Sequence, residues 1–233
     1  MSAEALAALE AEVVECRRCP RLVAWREQVA RERRAAYAGE DYWARPIPGF
    51  GDPAARVLVY GLAPAAHGGN RTGRVFTGDR SGDWLFGSLH RTGFANQPTS
   101  THRGDGLALH GAWIAAAVRC APPANRPTPA ERETCLPWSV RELALLPELR
   151  LIVCLGGFAW DAALRLRAAA GVPAPRPKPR FGHDVLFDDG SPLPLLGCFH
   201  PSQQNTFTGR LTEAMLDGVF ARARALVAGG PPG

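Results

Sequence analysis

Apolar residues along the chain follow two different periods, and the alternation between them predicts the fold. Residues 3–15 repeat alanine and leucine at helical spacing, and "RLVAWREQVARERRAAY" (21–37) continues that spacing as an arginine-rich amphipathic helix. Helical periodicity returns in "SGDWLFGSLHRTGF" (81–94) and in "TPAERETCLPWSVRELALLPEL" (128–149), which opens on a Thr-Pro start and predicts a break near Pro137. It recurs from the end of "RLIVCLGG" to about residue 169 and in "GRLTEAMLDGVFARARALV" (209–227). Between these lie short, unbroken apolar runs that read as buried strands: "RVLVYG" (56–61), "AWIAAAVRC" (112–120) and "RLIVCLGG" (150–157). Residues 181–200 predict a hairpin turning near Asp189-Gly190, its second arm a further core strand. Residues 40–53 read as loop, "GVPAPRPKPR" (171–180) as a proline-rich connector, and "AGGPPG" from about 228 as a frayed tail. Strands alternating with helices predict an α/β fold, a three-layer α/β/α sandwich on a central, mainly parallel sheet. Ligands of such sheets sit at the carboxyl ends of the strands. Here those ends carry "GLAPA", "VRCAPPANRP", "CLGG" and "FHPS".

Length and charge narrow the class. The 233 residues suit one α/β domain rather than two. No apolar run reaches the roughly 18 residues of a membrane span, and the acidic, amphipathic start is unlike a signal peptide, so a cytoplasmic, non-membrane protein is expected. The formal net charge is +5, and Lys178 is the one lysine among 27 cationic side chains. Codon bias in a GC-rich genome accounts for so much arginine together with the alanine, glycine and proline; phosphate recognition through bidentate guanidinium forks is the alternative. Either way the balance is compatible with a polyanionic partner.

Six cysteines fall into two kinds. Cys154 and Cys198 lie within apolar strands and read as small core residues. Cys16 and Cys19 have a two-residue gap, while Cys120 ends a strand and Cys135 follows beside a helix. Four such thiolates suit a tetrahedral zinc or an iron–sulfur cluster; the spacing is not that of a zinc ribbon, and unrelated free thiols are the alternative.

The most unusual stretch is "GLAPAAHGGNRTGRVFTGD" (61–79), with five glycines, two arginines and a carboxylate at its end. It lacks the lysine of a Walker A loop and the G-x-G-x-x-G spacing of a dinucleotide fold. Together with "VRCAPPANRPTPAE" and "HPSQQNTFTGRLT" it resembles the uracil-DNA glycosylase superfamily, and within it family 5, the type B iron–sulfur enzymes of bacteria and archaea. The likeness runs from Cys16 to about Leu211.

That resemblance implies a monofunctional DNA-repair glycosylase that everts a deaminated base and hydrolyses its N-glycosidic bond, and a [4Fe–4S] cluster on Cys16, Cys19, Cys120 and Cys135; a monomer is the default expectation. It implies that His200 donates to O2 of the departing base, and that Asp79 takes the water-orienting role that Leu62 and Ala63 cannot fill. Asp79 is equally placed to cap the helix beginning at Ser81. Gly61, Ala63, Phe76 and Asn125 are the implied base contacts, Phe76 by stacking and Asn125 by its amide. Ala116 stands where the superfamily commonly has an amide, which, with Leu62-Ala63, implies a roomier pocket that also takes hypoxanthine or xanthine. Ser202, Gln203, Gln204 and Asn205 would enter or contact the DNA, with Arg71, Arg74 and Arg210 at phosphates and glycines 68, 69, 73 and 78 against the strand. Two other readings fit part of the sequence: a non-catalytic nucleic-acid-binding module with a structural metal, and an electron-transfer iron–sulfur protein.

Overall fold

A computed structural model describes residues 2–228, so the tail expected from 228 onward lies, but for Ala228, outside the described residues. Two helices, α1 (Ser2–Val14) and α2 (Pro20–Glu32), precede a two-residue strand β1 (Phe50–Gly51) and the central strand β2 (Val57–Gly61). A single helical turn α3 (Gly69–Thr72) and the helix α4 (Arg80–Arg91) lead to β3 (Ala112–Ala116). Then come α5 (Pro129–Ala144), β4 (Leu151–Leu155), α6 (Gly157–Ala169), the hairpin β5 (Leu186–Phe187) and β6 (Leu195–Cys198), α7 (Gln203–Phe207) and α8 (Glu213–Ala228).

The sheet order is β1-β3-β2-β4-β6-β5. The four inner strands are parallel, and β1 and β5 close the edges antiparallel. Alternation along β2 sends Val57 and Val59 to one face, where Leu85, Phe86 and Leu89 of α4 meet Leu216, Val219 and Phe220 of α8. Leu58 and Tyr60 point to the other face, against Trp160 and Ala163 of α6, Leu6 of α1 and the half-buried side of α5. Apolar surface on both sheet faces is thereby removed from water, which makes three layers the stable arrangement. The expected sandwich is the observed one.

Several boundaries differ from the sequence reading, each for a local reason. Residues 21–37 are not one helix: α2 stops at Glu32 because Arg33 turns left-handed (φ 51°), and only a short 3-10 turn, Ala35–Tyr37, follows. The strand expected to reach residue 120 ends at Ala116, though Ala117 and Val118 still donate to the carbonyls of Gly61 and Leu62. The expected break at Pro137 does not occur. Proline removes one backbone donor there, but α5 is fixed at its start by the Thr128–Glu131 capping box and beyond the proline by buried Trp138, Ser139 and Glu142. The segment 202–210, read as loop, contains α7, and the loop 40–53 contains β1.

Candidate active site

Two strand ends that are distant in sequence meet over one cavity. Phe76 follows β2 by way of α3, and His200 follows β6; their ring centroids are 5.9 Å apart. The cavity they share has a volume of about 970 Å3, and Ala63, Asp79, Asn125, Ser202, Gln203 and Gln204 also border it. Opposite ends of the sheet for these two rings would have excluded a common site.

Each side chain is placed by its neighbours. Phe76 is buried with φ 54°, an uncommon conformation for a residue with a bulky side chain. Its ring lies against Gly61, where an added Cβ would fall 2.8 Å from Cζ. Gly61 therefore supports Phe76 and is not itself among the residues bordering the cavity, unlike the direct base contact expected of it. His200 is half-buried, no hydrogen-bond partner for its ring nitrogens occurs among the described residues, and burial pushes its pKa down to about 4. The imidazole is neutral at physiological pH, with an N–H to offer a ligand. Asp79 is the N-cap of α4: its Oδ1 accepts from the Gly82 amide at 2.9 Å. Its Oδ2 lies 2.1 Å from where a Cβ on Gly68 would be, and burial raises its pKa against the opposing pull of the Gly82 and Ser81 amides. Asp79 thus both caps α4 and borders the cavity. Asn125 is exposed at the cavity edge, in a turn where it and Ala124 both have positive φ (54° and 52°). Asparagine tolerates that conformation better than most residues.

Other expected contacts are engaged elsewhere. Arg74 is buried, paired with Asp105 at 2.6 Å and bonded to Thr77 and Ser100, so it is not available to a phosphate. Arg71 is paired with Glu40 and donates to the carbonyls of His67 and Gly78, both at 2.9 Å. Asn205 donates to the His200 carbonyl at 2.8 Å and braces the strand end instead of facing DNA. Arg210 is exposed but lies over the Phe199 ring, 4.7 Å from its centroid, outside the cavity. Gly69 and Gly73 are buried against Ile47 and Trp43, so they serve internal packing; Gly68 and Gly78 do border the cavity.

The iron–sulfur expectation is corrected by the structure. Among the described residues, no group of three or more His, Cys, Asp or Glu side chains is placed to hold a metal ion. Cys16, Cys19, Cys120 and Cys135 are free thiols around a space of about 20 Å3. Cys120 Sγ accepts from Arg26 at 2.9 Å and Cys135 Sγ from the Arg119 amide at 3.3 Å. Burial pushes these two metal-free thiols up to about 11 and about 12.

Residues that the sequence did not single out complete the cavity wall: Arg34, Tyr37, His67, Arg80 and Asp83. Phe207, at the end of α7, is 67 % exposed, with the Arg80 guanidinium 5.0 Å from its ring centroid. Periodicity does not reveal these residues, because they lie in turns or at helix starts and become neighbours only in the folded chain.

The sequence that builds this site is similar to those of known proteins. Residues 48–224 match the family model described as Uracil DNA glycosylase superfamily. The chain is 57 % identical over 219 residues to the type-5 uracil-DNA glycosylase of Mycobacterium tuberculosis, covering 94 % of this chain and 80 % of that one. It is 51 % identical to the type-5 enzyme of Thermus thermophilus (91 % and 93 % covered) and 45 % identical to that of Pyrobaculum aerophilum (91 % and 89 %). The chain belongs to the uracil DNA glycosylase superfamily, in its type-5 branch.

Proposed function

We propose that the protein is a DNA glycosylase, acting as a monomer through one domain, that removes uracil and other deaminated bases from DNA and leaves an abasic site. The observation that carries this reading is the pairing of Phe76 and His200 across one cavity, 5.9 Å between ring centroids, in a chain of this family. Breaking the N-glycosidic bond leaves negative charge on the base and positive charge on the sugar, and the site has a group suited to each. The neutral His200 imidazole donates its N–H as charge gathers on the base carbonyl. The Asp79 oxygen that does not cap α4 faces the sugar side, where it orients water and balances the cation. Phe76 stacks on the base, and Asn125 offers its amide to the edge. The small side chain of Ala63 on the cavity wall leaves room at the base edge, which suits hypoxanthine and xanthine as well as uracil. DNA is the partner, and no described helix is long and apolar enough to cross a membrane.

Eversion requires something to hold the gap in the stack. Phe207, exposed on the same short helix as the cavity-bordering Gln203 and Gln204, takes that part. The decisive experiment incubates a panel of duplexes containing uracil, hypoxanthine or xanthine with the protein, then cleaves abasic sites with alkali. Strand cleavage at uracil is expected, with loss of at least about 100-fold in rate in His200→Ala and Asp79→Ala. Intact strands with wild-type protein would favour a non-catalytic nucleic-acid-binding module.

A further inference from the structure

A second aromatic surface borders the cavity and has no part in the chemistry above. Tyr37 stands in the short turn beyond α2, and its ring is half-buried. The Arg71 guanidinium covers one face, 4.0 Å from the ring centroid. Arg71 is itself immobilised by Glu40 and by the carbonyls of His67 and Gly78. Tyr37 borders the cavity and Arg71 does not. Arg34, exposed and without a carboxylate partner among the described residues, borders the cavity beside it. So does His67, whose Nδ1 lies 2.9 Å from the Tyr42 hydroxyl. The cavity volume of about 970 Å3 is at the top of the range that drug-sized ligands fill, roughly 300–1,000 Å3, and a single pyrimidine is much smaller.

We propose that Tyr37, backed by Arg71, is the platform of a second base subsite that takes the base next to the excised one on the same strand. Arg34 lies against the phosphate joining the two nucleotides. Every base has a π face, so stacking here is tolerant of sequence. A ring already pinned by a cation on its far side stacks without further loss of side-chain freedom. The subsite rests on the glycosylase reading, but it concerns a different residue set and a different part of the substrate.

The test uses single-stranded oligonucleotides with uracil, in which the base on the 5′ side or on the 3′ side is replaced by a tetrahydrofuran spacer. Wild-type protein is expected to show a KM about tenfold higher for one of the two spacers, within the range that one base–aromatic stack supplies, with kcat within about twofold. Tyr37→Ala is expected to show that raised KM on the unmodified strand and no further change with the spacer, while Tyr37→Phe behaves as wild type. The proposal is overturned if neither spacer raises KM, or if Tyr37→Ala leaves the spacer penalty intact. Lack of uracil release by the wild type in the same assay would strike the glycosylase reading itself. The subsite is then still tested by the anisotropy-measured affinity of the same strands.

Discussion

At the scale of single residues, the site depends on holding two titratable groups away from their ordinary states. Burial lowers the His200 pKa to about 4 and raises that of Asp79. His67, the other imidazole on the cavity, is also lowered, by burial and then by Arg34 and Arg71. A histidine with a depressed folded-state pKa contributes fully to stability above its unfolded value of about 6.5, and that contribution is lost as pH falls from there toward 4. Both histidine shifts therefore weaken the protein on the acid side. No cavity imidazole should titrate at 6.5, so a kcat/KM profile is expected to stay flat through that pH and fall only at lower values. An inflection at 6.5 that disappears in His200→Ala would show that the ring is not buried as described. The Asp79 carboxylate has an equally narrow berth. A Cβ at Gly68 would fall 2.1 Å from Oδ2, so Gly68→Ala must move the carboxylate. A misplacement of that kind reduces kcat by up to about 100-fold; KM is expected within about twofold of wild type, with the melting temperature little changed.

At the scale of elements, α5 and α7 carry the strand-end loops, and both were only partly legible in the sequence. The Thr-Pro start of α5 and its apolar spacing were plain, whereas the network that keeps it whole past Pro137 was not. Arg119, after β3, is buried and bonds Glu142 at 2.5 Å and Ser139 at 3.3 Å; Glu142 also accepts from the Gly49 amide at 3.0 Å, and Tyr60 donates to Ser139 at 2.9 Å. Partners 20 or more residues apart leave no periodic trace. Removing one member of such a buried pair strands the other, so Glu142→Ala should destabilise by about 3–5 kcal/mol, read as a melting temperature lower by roughly 6–20 °C. In α7, the resemblance implied that Gln203, Gln204 and Asn205 enter or contact the DNA. The fold instead ties Asn205 to the His200 carbonyl and leaves Phe207 exposed. Phe207→Ala is expected to slow excision from duplexes at least about fivefold more than from single strands, because only duplexes require the gap to be held. Equal slowing on both would remove Phe207 from that role. The four parallel strands, the hairpin and the four-motif rim were visible from pattern because apolar period and strand-end position are local properties. Which arginines face solvent is not local, and there the sequence misled.

At the scale of the whole molecule, topology and charge converge on the same rim. After the edge strand β1, the chain lays down the central β2, adds β3 on one side, then crosses to place β4 and β6 on the other. The loops leaving β2 and β6 therefore face each other across the point where strand order reverses, where open α/β sheets bind ligands. The net charge of +5 is not spread evenly in function. Arg74 has a buried carboxylate partner and Arg71 is paired with Glu40, so neither can release a counterion from DNA. Arg34 and Arg80 border the cavity without carboxylate partners among the described residues, and Arg80 is exposed over Phe207. Each phosphate contact contributes about 0.7–0.9 to the slope of log affinity against log salt. Arg80→Ala should thus weaken DNA binding and reduce that slope by about one. Arg74→Ala should leave the slope unchanged while lowering the melting temperature, since it leaves Asp105 at 5 % exposure without its partner. Titrating one labelled uracil strand at several salt concentrations with the three proteins separates the two arginines. A slope that drops for Arg74→Ala and not for Arg80→Ala would mean that the DNA runs on the other side of the first loop from the one its free cations mark.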